Sequence, residues 1–297
     1  MSLLVVGTLA FDTIITPDSQ SERVLGGSAN YFSLAASFFN KVNLISVVGS
    51  DFPKEHLDFL KSRDINTDGV AQNEGATLEW VGRYDDLYSN ADFKEKNTQI
   101  FRNFSPILND QAKAAKYVFL AKGNPETQNF VLSQIKNPQY VVAATSEKWI
   151  ERAKPSLLEF IRNIDALIIT PDEAKKLTDK KYIFEAVSYI LELGPWQVLV
   201  YSKETGAVLY SSNNPCVSPM YPLDRVVDST GSIDCFVGGY LGYLSYVDIQ
   251  NPATYKKALK YGIVMASFVH EGVSFNRLLE IGKVDTLRRL TIFEEML

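Results

Sequence analysis

The sequence predicts an α/β protein of the doubly wound type, and two patterns lead to this prediction. Short, nearly continuous apolar runs recur along the chain, as expected for strands buried on both faces of a parallel sheet. These runs are residues 3–6, 44–48, 117–120, 140–143, 166–169 and 198–200. Segments with helical spacing of apolar residues lie between them. Strands that alternate with helices are typical of a parallel sheet covered by helices on both faces.

The predicted helices follow from apolar residues spaced three and four apart. In the stretch 29–39, Phe32, Ala35, Ala36 and Phe39 share one face. Further helices are predicted at residues 56–62, 183–193 and 252–269, and in the charged tail 277–297.

One stretch, residues 76–104, departs from this alternation of strands and helices. Leu78, Trp80, Gly82 and Tyr84 alternate with polar residues, and a second alternating run follows at residues 99–103. With the polar segment 85–97 between them, these runs predict two antiparallel strands joined by a long loop. The ribbon is expected to form a flap over a cleft, the alternative being an edge hairpin of the main sheet.

Composition excludes several classes of protein. The 297 residues include 30 basic and 35 acidic side chains, a net charge of −5 without a basic block, so no nucleic-acid partner is expected. No apolar run reaches the 18 or so residues of a membrane helix, so no membrane association is expected. Cys216 and Cys235 are too few for a disulfide framework and predict reduced thiols in a cytoplasmic protein. Two histidines, His56 and His270, argue against a histidine-rich metal site.

The stretch 226–239 carries the strongest chemical pattern. An apolar pair and Asp228 precede a turn of small residues, and a glycine-containing helix is predicted to begin near residue 235. Amide N–H groups at the start of that helix would bind an anion such as phosphate. Asp234 in the first turn could accept the proton of an attacking hydroxyl, the pairing that phosphoryl transfer needs. The alternative is that Asp234 merely caps the helix.

This stretch resembles a known family signature. The run D-S-T-G-S-I-D-C-F-V-G-G, which begins at Asp228, is similar to D-T-x-G-A-G-D-x-F-x-G-G, the second signature of the PfkB (ribokinase-like) carbohydrate kinases. Gly26 and Gly27, preceded by Asp12, resemble the first signature, and the ribbon 76–104 resembles the family's lid. The resemblance runs the full chain. It implies a ribokinase-like three-layer sandwich with a mostly parallel central sheet. It also implies one domain over residues 1–297, with a small antiparallel β lid from about 12–25 and 76–104.

The resemblance assigns a role to each matching residue. It implies that Asp234 is the catalytic base and that the amides of Gly231, Ser232, Ile233 and Asp234 form the anion hole. The residues it assigns to substrate binding are Asp12, Gly26, Gly27 and, as the nearest match to the family's asparagine, Asn30. The residues it assigns to ATP are Thr230, Lys203 and Gly206. It assigns Glu173 to Mg²⁺, through water.

Several positions depart from the family pattern and leave alternatives open. Asn30 stands one position early and could simply begin a helix. Glu173 has Thr170 where asparagine is usual, and it could belong to an ordinary acidic first turn. Lys203 could contact a phosphate or be a solvated turn residue. Ile233 replaces a glycine and is compatible with an anion hole only if φ there is negative.

The expected function is an ATP-dependent phosphotransferase that acts on a hydroxyl of a small sugar-like substrate, with ATP and Mg²⁺ as cofactors. The alternatives are a nucleoside kinase of the same family, or a degenerate member that binds a ligand with little or no kinase activity. A sugar phosphate would need cations such as Arg83 or Arg102 near the lid. Pairing of the lids of two copies would give a homodimer, and a monomer is the alternative.

Overall fold

A computed structural model describes residues 3–17, 19–84, 91–102, 104–212 and 215–297 of the chain. The strands are β1 Leu3–Val6, β2 Ala10–Ile15, β3 Gln20–Gly26, β4 Val42–Val48, β5 Ile65–Gln72, β6 Glu79–Tyr84, β7 Ala91–Lys96, β8 Tyr117–Leu120, β9 Tyr140–Ala144, β10 Ala166–Ile169, β11 Gln197–Ser202, β12 Gly206–Ser211 and β13 Cys216–Pro219. The helices are α1 Ser28–Ala36, α2 Lys54–Ser62, α3 Asp110–Lys113, α4 Pro125–Leu132, α5 Glu147–Arg152, α6 Lys154–Ile161, α7 Pro171–Thr178, α8 Ile183–Leu193, α9 Ser232–Val247, α10 Pro252–His270, α11 Asn276–Glu280 and α12 Lys283–Met296.

Nine strands form the central sheet in the order β13-β12-β11-β10-β9-β8-β1-β4-β5. The seven strands from β11 to β5 are parallel, whereas β12 and β13 extend the β11 edge as antiparallel strands. All six predicted apolar runs are strands of this sheet. Because the seven strands are parallel, their carboxyl ends meet along one edge, where open α/β sheets bind ligands.

Helices cover both faces of the sheet, because successive side chains of each strand point to opposite sides. In β1, Leu3 and Val5 belong to a core cluster that includes side chains of α1, α9 and α10. Leu4 and Val6 belong to a second cluster that includes side chains of α4, α6, α7 and α8. The structure is therefore an α/β three-layer sandwich, as the sequence predicted.

Four strands form a second, smaller sheet in the order β3-β2-β6-β7, which we call the lid. The β2–β3 and β6–β7 pairs are antiparallel and the central β2–β6 pair is parallel. The ribbon is therefore no edge hairpin of the main sheet.

The second strand of the ribbon was predicted in the wrong place. Residues Thr98–Phe101 form a 3₁₀ helix, and the strand is Ala91–Lys96, inside the segment predicted as loop. The polar edge strand carries few apolar residues, whereas Ile100 and Phe101 pack into a core cluster and create the misleading alternation. Residues 85–90 of the predicted loop and residue 103 of the predicted strand lie outside the described residues.

None of the helices in the described part of the chain combines the length and the apolar character needed to cross a membrane.

Candidate active site

A cleft at the carboxyl edge of the sheet collects the predicted site residues. Asp12 lies on β2 of the lid, Glu173 lies in the first turn of α7 after β10, and Asp234 lies in the first turn of α9. The three segments are far apart in sequence, but their carboxylates interact in the fold. The charge of Asp234 contributes to the raised pKa of Asp12, and the charge of Glu173 contributes to the raised pKa of Asp234. The fold therefore brings these carboxylates to one place.

The turn before α9 depends on glycine at position 231. Gly231 is the N-cap of α9 with φ 76°, a left-handed conformation that glycine adopts readily. A Cβ atom at this position would also lie 2.4 Å from the ring of Tyr31. Ile233 lies within α9 and is not among the non-glycine residues with positive φ. The branched side chain is therefore accommodated, because the left-handed residue of the turn is Gly231.

Three amides at this turn are available to a ligand. In the described part of the chain, the N–H groups of Gly231, Ile233 and Asp234 donate to no carbonyl of another residue. The Ser232 amide differs from the prediction, because it donates to the Ser229 carbonyl at 3.2 Å. The free amides lie at the positive end of a 16-residue helix, an arrangement that can bind an anion.

Asp234 is a buried carboxyl group with one oxygen left unsatisfied. Its side chain is 6% exposed, and Oδ1 has no hydrogen-bond partner among the described residues. Burial raises the pKa of Asp234 to about 7, the nearby Lys122 ammonium lowers it, and Glu173 raises it. A carboxylate with a pKa near neutrality and an unoccupied acceptor can take a proton from a hydroxyl.

Asp12 is held in a pocket that only glycine permits. The carboxyl group is 3% exposed and accepts a hydrogen bond from the Tyr31 hydroxyl at 3.3 Å. A Cβ atom at Gly26 would lie 1.9 Å from Asp12 Oδ2, so the missing side chain makes room for the carboxyl group. Gly27 has φ 96° and lies directly before α1. Burial and the charge of Asp228 raise the pKa of Asp12 to about 8.

Asn30 is fully buried beneath the glycine turn. Its amide nitrogen lies 3.3 Å from the Gly26 carbonyl, to which it donates, and 3.0 Å from His56 Nε2. Burial lowers the pKa of His56 to about 4, so this imidazole is neutral at pH 7. The two side chains support the turn that carries Gly26 and Gly27.

The lid reaches across to the turn before α9. The Tyr84 hydroxyl, at the end of β6, lies 2.7 Å from Thr230 Oγ1. Lys203 Nζ donates to Ser229 Oγ at 3.3 Å and lies 5.6 Å from the centre of the Tyr84 ring. Lys203 is therefore more than a solvated turn residue, because it contacts both the lid and the turn before α9.

A cavity of ≈ 730 Å³ opens behind this turn. Its lining includes Lys203, Met220, Tyr221, Arg225, Ser229 and His270. Gly206 is not among the lining residues. It has φ 106° at the β11–β12 turn, where a Cβ atom would lie 2.3 Å from the Ser218 carbonyl oxygen. The positive φ and this close contact in the hairpin explain why residue 206 is glycine.

Glu173 and Thr170 form a capping box at the start of α7. The Glu173 carboxylate accepts from the Thr170 N–H at 3.0 Å, while Thr170 Oγ1 accepts from the Glu173 N–H at 3.3 Å. Threonine in place of asparagine is therefore a functional helix cap. Both hydrogen bonds to the Glu173 side chain reach Oε2, and the second comes from the Thr170 hydroxyl. The other carboxylate oxygen could hold a water of a hydrated cation.

Two residues of the cleft were missed from the sequence. Tyr31 lies between Asp12 and Gly231, and Lys122 lies near Asp234. Tyr31 immediately follows Asn30, and no pattern marked it. Lys122 follows the predicted strand 117–120, so its position at the carboxyl end of a parallel strand was the signal that could have found it.

Comparisons with known proteins identify the family of this chain. The family model for the pfkB family carbohydrate kinases matches residues 2–277. The chain belongs to this family. It is therefore a PfkB-family kinase, a phosphotransferase with an alcohol group as acceptor, and family membership implies the use of ATP.

Individual relatives include both nucleoside and sugar kinases. The chain is 28% identical over 251 residues to a cytidine kinase of Thermococcus kodakarensis, which covers 82% of this chain and 88% of the relative. A nucleoside kinase of Methanocaldococcus jannaschii superposes with a TM-score of 0.79 at 21% identity, covering 98% of each chain. A fructokinase of Vibrio cholerae superposes with a TM-score of 0.78 at 19% identity, covering 97% of this chain and 98% of the other.

Proposed function

We propose that this PfkB-family kinase phosphorylates a hydroxyl of a nucleoside, with Asp234 as general base. The observation that carries the proposal is the unpartnered, buried Oδ1 of Asp234 beside the free amides at the start of α9. A hydroxyl placed against Oδ1 loses its proton to the carboxylate as it attacks the γ-phosphorus of ATP. The bond to ADP breaks as the new P–O bond forms, and ADP leaves with the electron pair.

The amides of Gly231, Ile233 and Asp234 bind the phosphoryl oxygens in this scheme. Fixed N–H donors at a helix start stabilise charge that develops in the transition state, because they need no reorganisation during the reaction. The cavity lined by Lys203, Tyr221 and His270 opens next to Ser229 and accommodates the nucleotide. Thr230 contributes the contact that joins this region to the lid.

Glu173 is the residue we assign to Mg²⁺, through water. The fit rests on the half-buried Glu173 carboxylate, one oxygen of which takes no part in the capping box. This carboxylate also lies near enough to Asp234 to raise the pKa of Asp234. When bound, Mg²⁺ would neutralise phosphate charge. Within the described residues, no group of three or more His, Cys, Asp or Glu side chains forms a ready-made metal cage, in keeping with a cation held largely by water and substrate.

Asp12, Gly26 and Gly27 are assigned to the ribose. With its pKa near 8, the Asp12 carboxyl group at pH 7 has both a donor and an acceptor for sugar hydroxyls. Gly26 leaves the carboxyl group room, and the Gly27 backbone can approach the sugar closely. Asn30 supports this turn through its bond to the Gly26 carbonyl.

Charge around the lid disfavours a phosphorylated sugar as the substrate. Arg23 pairs with Asp51 at 3.0 Å and with Glu79 at 3.4 Å, and Lys96 pairs with Glu79 at 2.9 Å. Arg83 and Arg102 are exposed. In the described part of the lid, these cations are thus either paired with carboxylates or exposed to solvent. Because they are not directed at a substrate phosphate, a neutral substrate is the better match.

Aromatic side chains near Asp12 favour a nucleoside over a simple sugar. Phe11 packs against Phe52 with ring centres 5.8 Å apart, and Tyr31 meets Phe275 at 5.5 Å. Flat apolar surfaces suit a nucleobase, which offers a face for stacking. The cytidine kinase of T. kodakarensis and the nucleoside kinase of M. jannaschii support the same class, whereas the fructokinase of V. cholerae supports a sugar as the second candidate.

A homodimer through the lid is a further part of the proposal. Phe93 on the edge strand β7 is 54% exposed and packs on Trp80 with ring centres 4.9 Å apart. An exposed aromatic on a sheet edge encourages pairing with a second copy. We expect sedimentation to give a dimer for the wild type and a weaker one for Phe93→Ser. A wild-type monomer at all concentrations would contradict this part alone.

The test of the activity is an ADP-release assay with MgATP and a panel of cytidine, inosine, adenosine, ribose and fructose. We expect a nucleoside to give the highest kcat/KM, and Asp234→Asn to lower kcat by about 10²–10⁴-fold while nucleotide binding measured by calorimetry is kept. Asp58→Asn, a change at an exposed helix position, is the matched control and should keep full activity. Binding of MgATP without turnover of any acceptor would instead favour the degenerate alternative.

A further inference from the structure

Lys122 is a cation of the cleft that belongs to none of the recognised motifs. It follows β8 at the carboxyl edge of the sheet, where β8 lies between β1 and β9. Its side chain is half-buried, and it lies near Asp234, whose pKa it lowers. The position of Lys122 after β8 therefore places it at the same edge of the sheet as the proposed base.

A network of hydrogen bonds fixes the backbone that carries Lys122. The buried Gln128 side chain donates through Nε2 to the carbonyls of Leu120 at 3.2 Å, Ala121 at 2.8 Å and Ala144 at 3.1 Å. These bonds tie together the ends of β8 and β9. Ala121 is itself buried against Gly7, where a Cβ atom would lie 2.7 Å from the Ala121 methyl group. The lysine thus projects from a fixed point of the cleft.

Over the described ranges of the chain, no ion pair and no hydrogen bond involves Lys122 Nζ. Many other lysines of the protein do pair with carboxylates, as Lys96 does with Glu79 and Lys176 with two glutamates. A half-buried, unpaired ammonium beside a catalytic carboxylate is suited to bind an anion that arrives with the substrate.

We propose that Lys122 binds the phosphoryl group during its transfer. The inference rests on the proposed function, because the anion it names is the γ-phosphoryl group of ATP. In the reaction the acceptor proton goes to Asp234, the bond from the acceptor oxygen to phosphorus forms, and ADP departs. The positive charge of Lys122 offsets the negative charge on the moving group.

The specific consequence is discrimination between nucleoside triphosphate and diphosphate. An ammonium that contacts only the γ-phosphoryl group strengthens the binding of the triphosphate and leaves the binding of ADP unchanged. A lysine that merely stabilised the β8–α4 segment would change the affinity of both nucleotides equally. The comparison of the two affinities therefore separates contact with the phosphoryl group from a structural role.

The experiment measures kcat/KM and the affinities for ADP and a β,γ-imido ATP analogue by calorimetry, for the wild type and three variants. We expect Lys122→Met to lower kcat/KM by about 10²–10³-fold. The same variant should lower the affinity for the ATP analogue by about tenfold, which corresponds to the loss of one charged hydrogen bond, and leave the affinity for ADP unchanged. Lys122→Arg, which keeps the charge, should recover part of both losses. Lys116→Met is the matched control, because Lys116 precedes the opposite end of β8, and it should match the wild type.

The outcomes separate this inference from the proposed function. A Lys122→Met protein within twofold of the wild type in kcat/KM, or one that loses affinity for analogue and ADP equally, would overturn the inference while the kinase activity stands. A wild-type protein that binds nucleotides but phosphorylates no acceptor would overturn the proposed function. The affinities of the wild type and Lys122→Met for ADP and for the analogue would still show whether Lys122 contacts the γ-phosphoryl group. If the Lys122→Met variant failed to fold, Lys122→Gln, which keeps a polar side chain of similar length, would give the same comparison.

Discussion

Replacing Asp12 by asparagine should stabilise the ligand-free protein at alkaline pH and hardly change it at acid pH. Burial and the neighbouring Asp228 raise the pKa of Asp12 from 3.8 to about 8. The unfolded chain therefore loses this proton near pH 4, whereas the folded protein keeps it until about pH 8. The carboxyl group costs no stability below pH 4, and its cost grows as the pH rises through the window between the two pKa values. Asparagine, which does not titrate, removes that cost.

The size of the effect follows from the two pKa values. One pKa unit corresponds to about 1.4 kcal/mol, so the cost of Asp12 is roughly 1.5 kcal/mol at pH 5 and roughly 5 kcal/mol at pH 8. The variant also weakens the hydrogen bond from Tyr31, a loss of about 1 kcal/mol that is similar at both pH values. The change in unfolding free energy caused by Asp12→Asn should therefore become more stabilising by about 3.5 kcal/mol between pH 5 and pH 8.

Urea unfolding of the ligand-free protein at pH 5 and pH 8 measures this difference. Asp58→Asn, a change at an exposed helix position, is the matched control and should leave the unfolding free energy close to that of the wild type at both pH values. If the effect of Asp12→Asn were the same at both pH values, Asp12 would be ionised in the folded protein and the electrostatic reasoning would be refuted. The same variant should lose activity, because the proposed ribose contact is changed, so stability and activity would move in opposite directions.

Three further predictions concern the start of α9. Because Asp234 must be ionised to act as a base and its pKa is about 7, kcat/KM should rise with pH through about 7 and level off above it, which a pH–rate profile would test. Ile233→Gly should give no gain in turnover, because Ile233 already has helical φ. It should lower the unfolding free energy by at least about 0.5 kcal/mol, because glycine is a poor helix former and the Ile233 side chain packs against the core. A large gain in turnover would favour the degenerate alternative. Gly231→Ala should lower the unfolding free energy by at least about 1 kcal/mol and remove most of the activity. The reasons are that alanine is strained at φ 76° and that its methyl group would clash with the Tyr31 ring. A variant with the melting temperature and turnover of the wild type would contradict this geometry.

The central sheet could be predicted because its strands are buried on both faces. Runs such as 3–6 and 166–169 need only to be apolar, and that pattern is visible in a single sequence. The edge strands were harder. β5 reads I-N-T-D-G-V-A-Q, and β7 reads A-D-F-K-E-K, because one side of each strand lacks a neighbour. Such strands are held by backbone pairing, which leaves little trace in the side chains.

The site was predictable where its chemistry needs a fixed order of residues. Asp234 and Gly231 belong to one short segment, and the helix start brings them together through local geometry. Lys122 and Tyr31 reach the same cleft only through the long-range order of the strands and the packing of α1 on α9. A lone lysine after a strand, or a tyrosine in an apolar helix, has no local pattern, so the fold had to be known first.

The burial that costs this protein stability also suits Asp234 to its proposed role as base. Asp12, Asp228 and Asp234 are each less than a tenth exposed, and burial is the largest cause of the raised pKa of all three. A fully hydrated Asp234 would have a pKa near 4, and a carboxylate of that acidity is a weak acceptor for the proton of an alcohol. Near 7 it is a better acceptor that is still substantially ionised at neutral pH. Lys122 offsets part of the cost, because its charge favours the ionised form that the reaction needs.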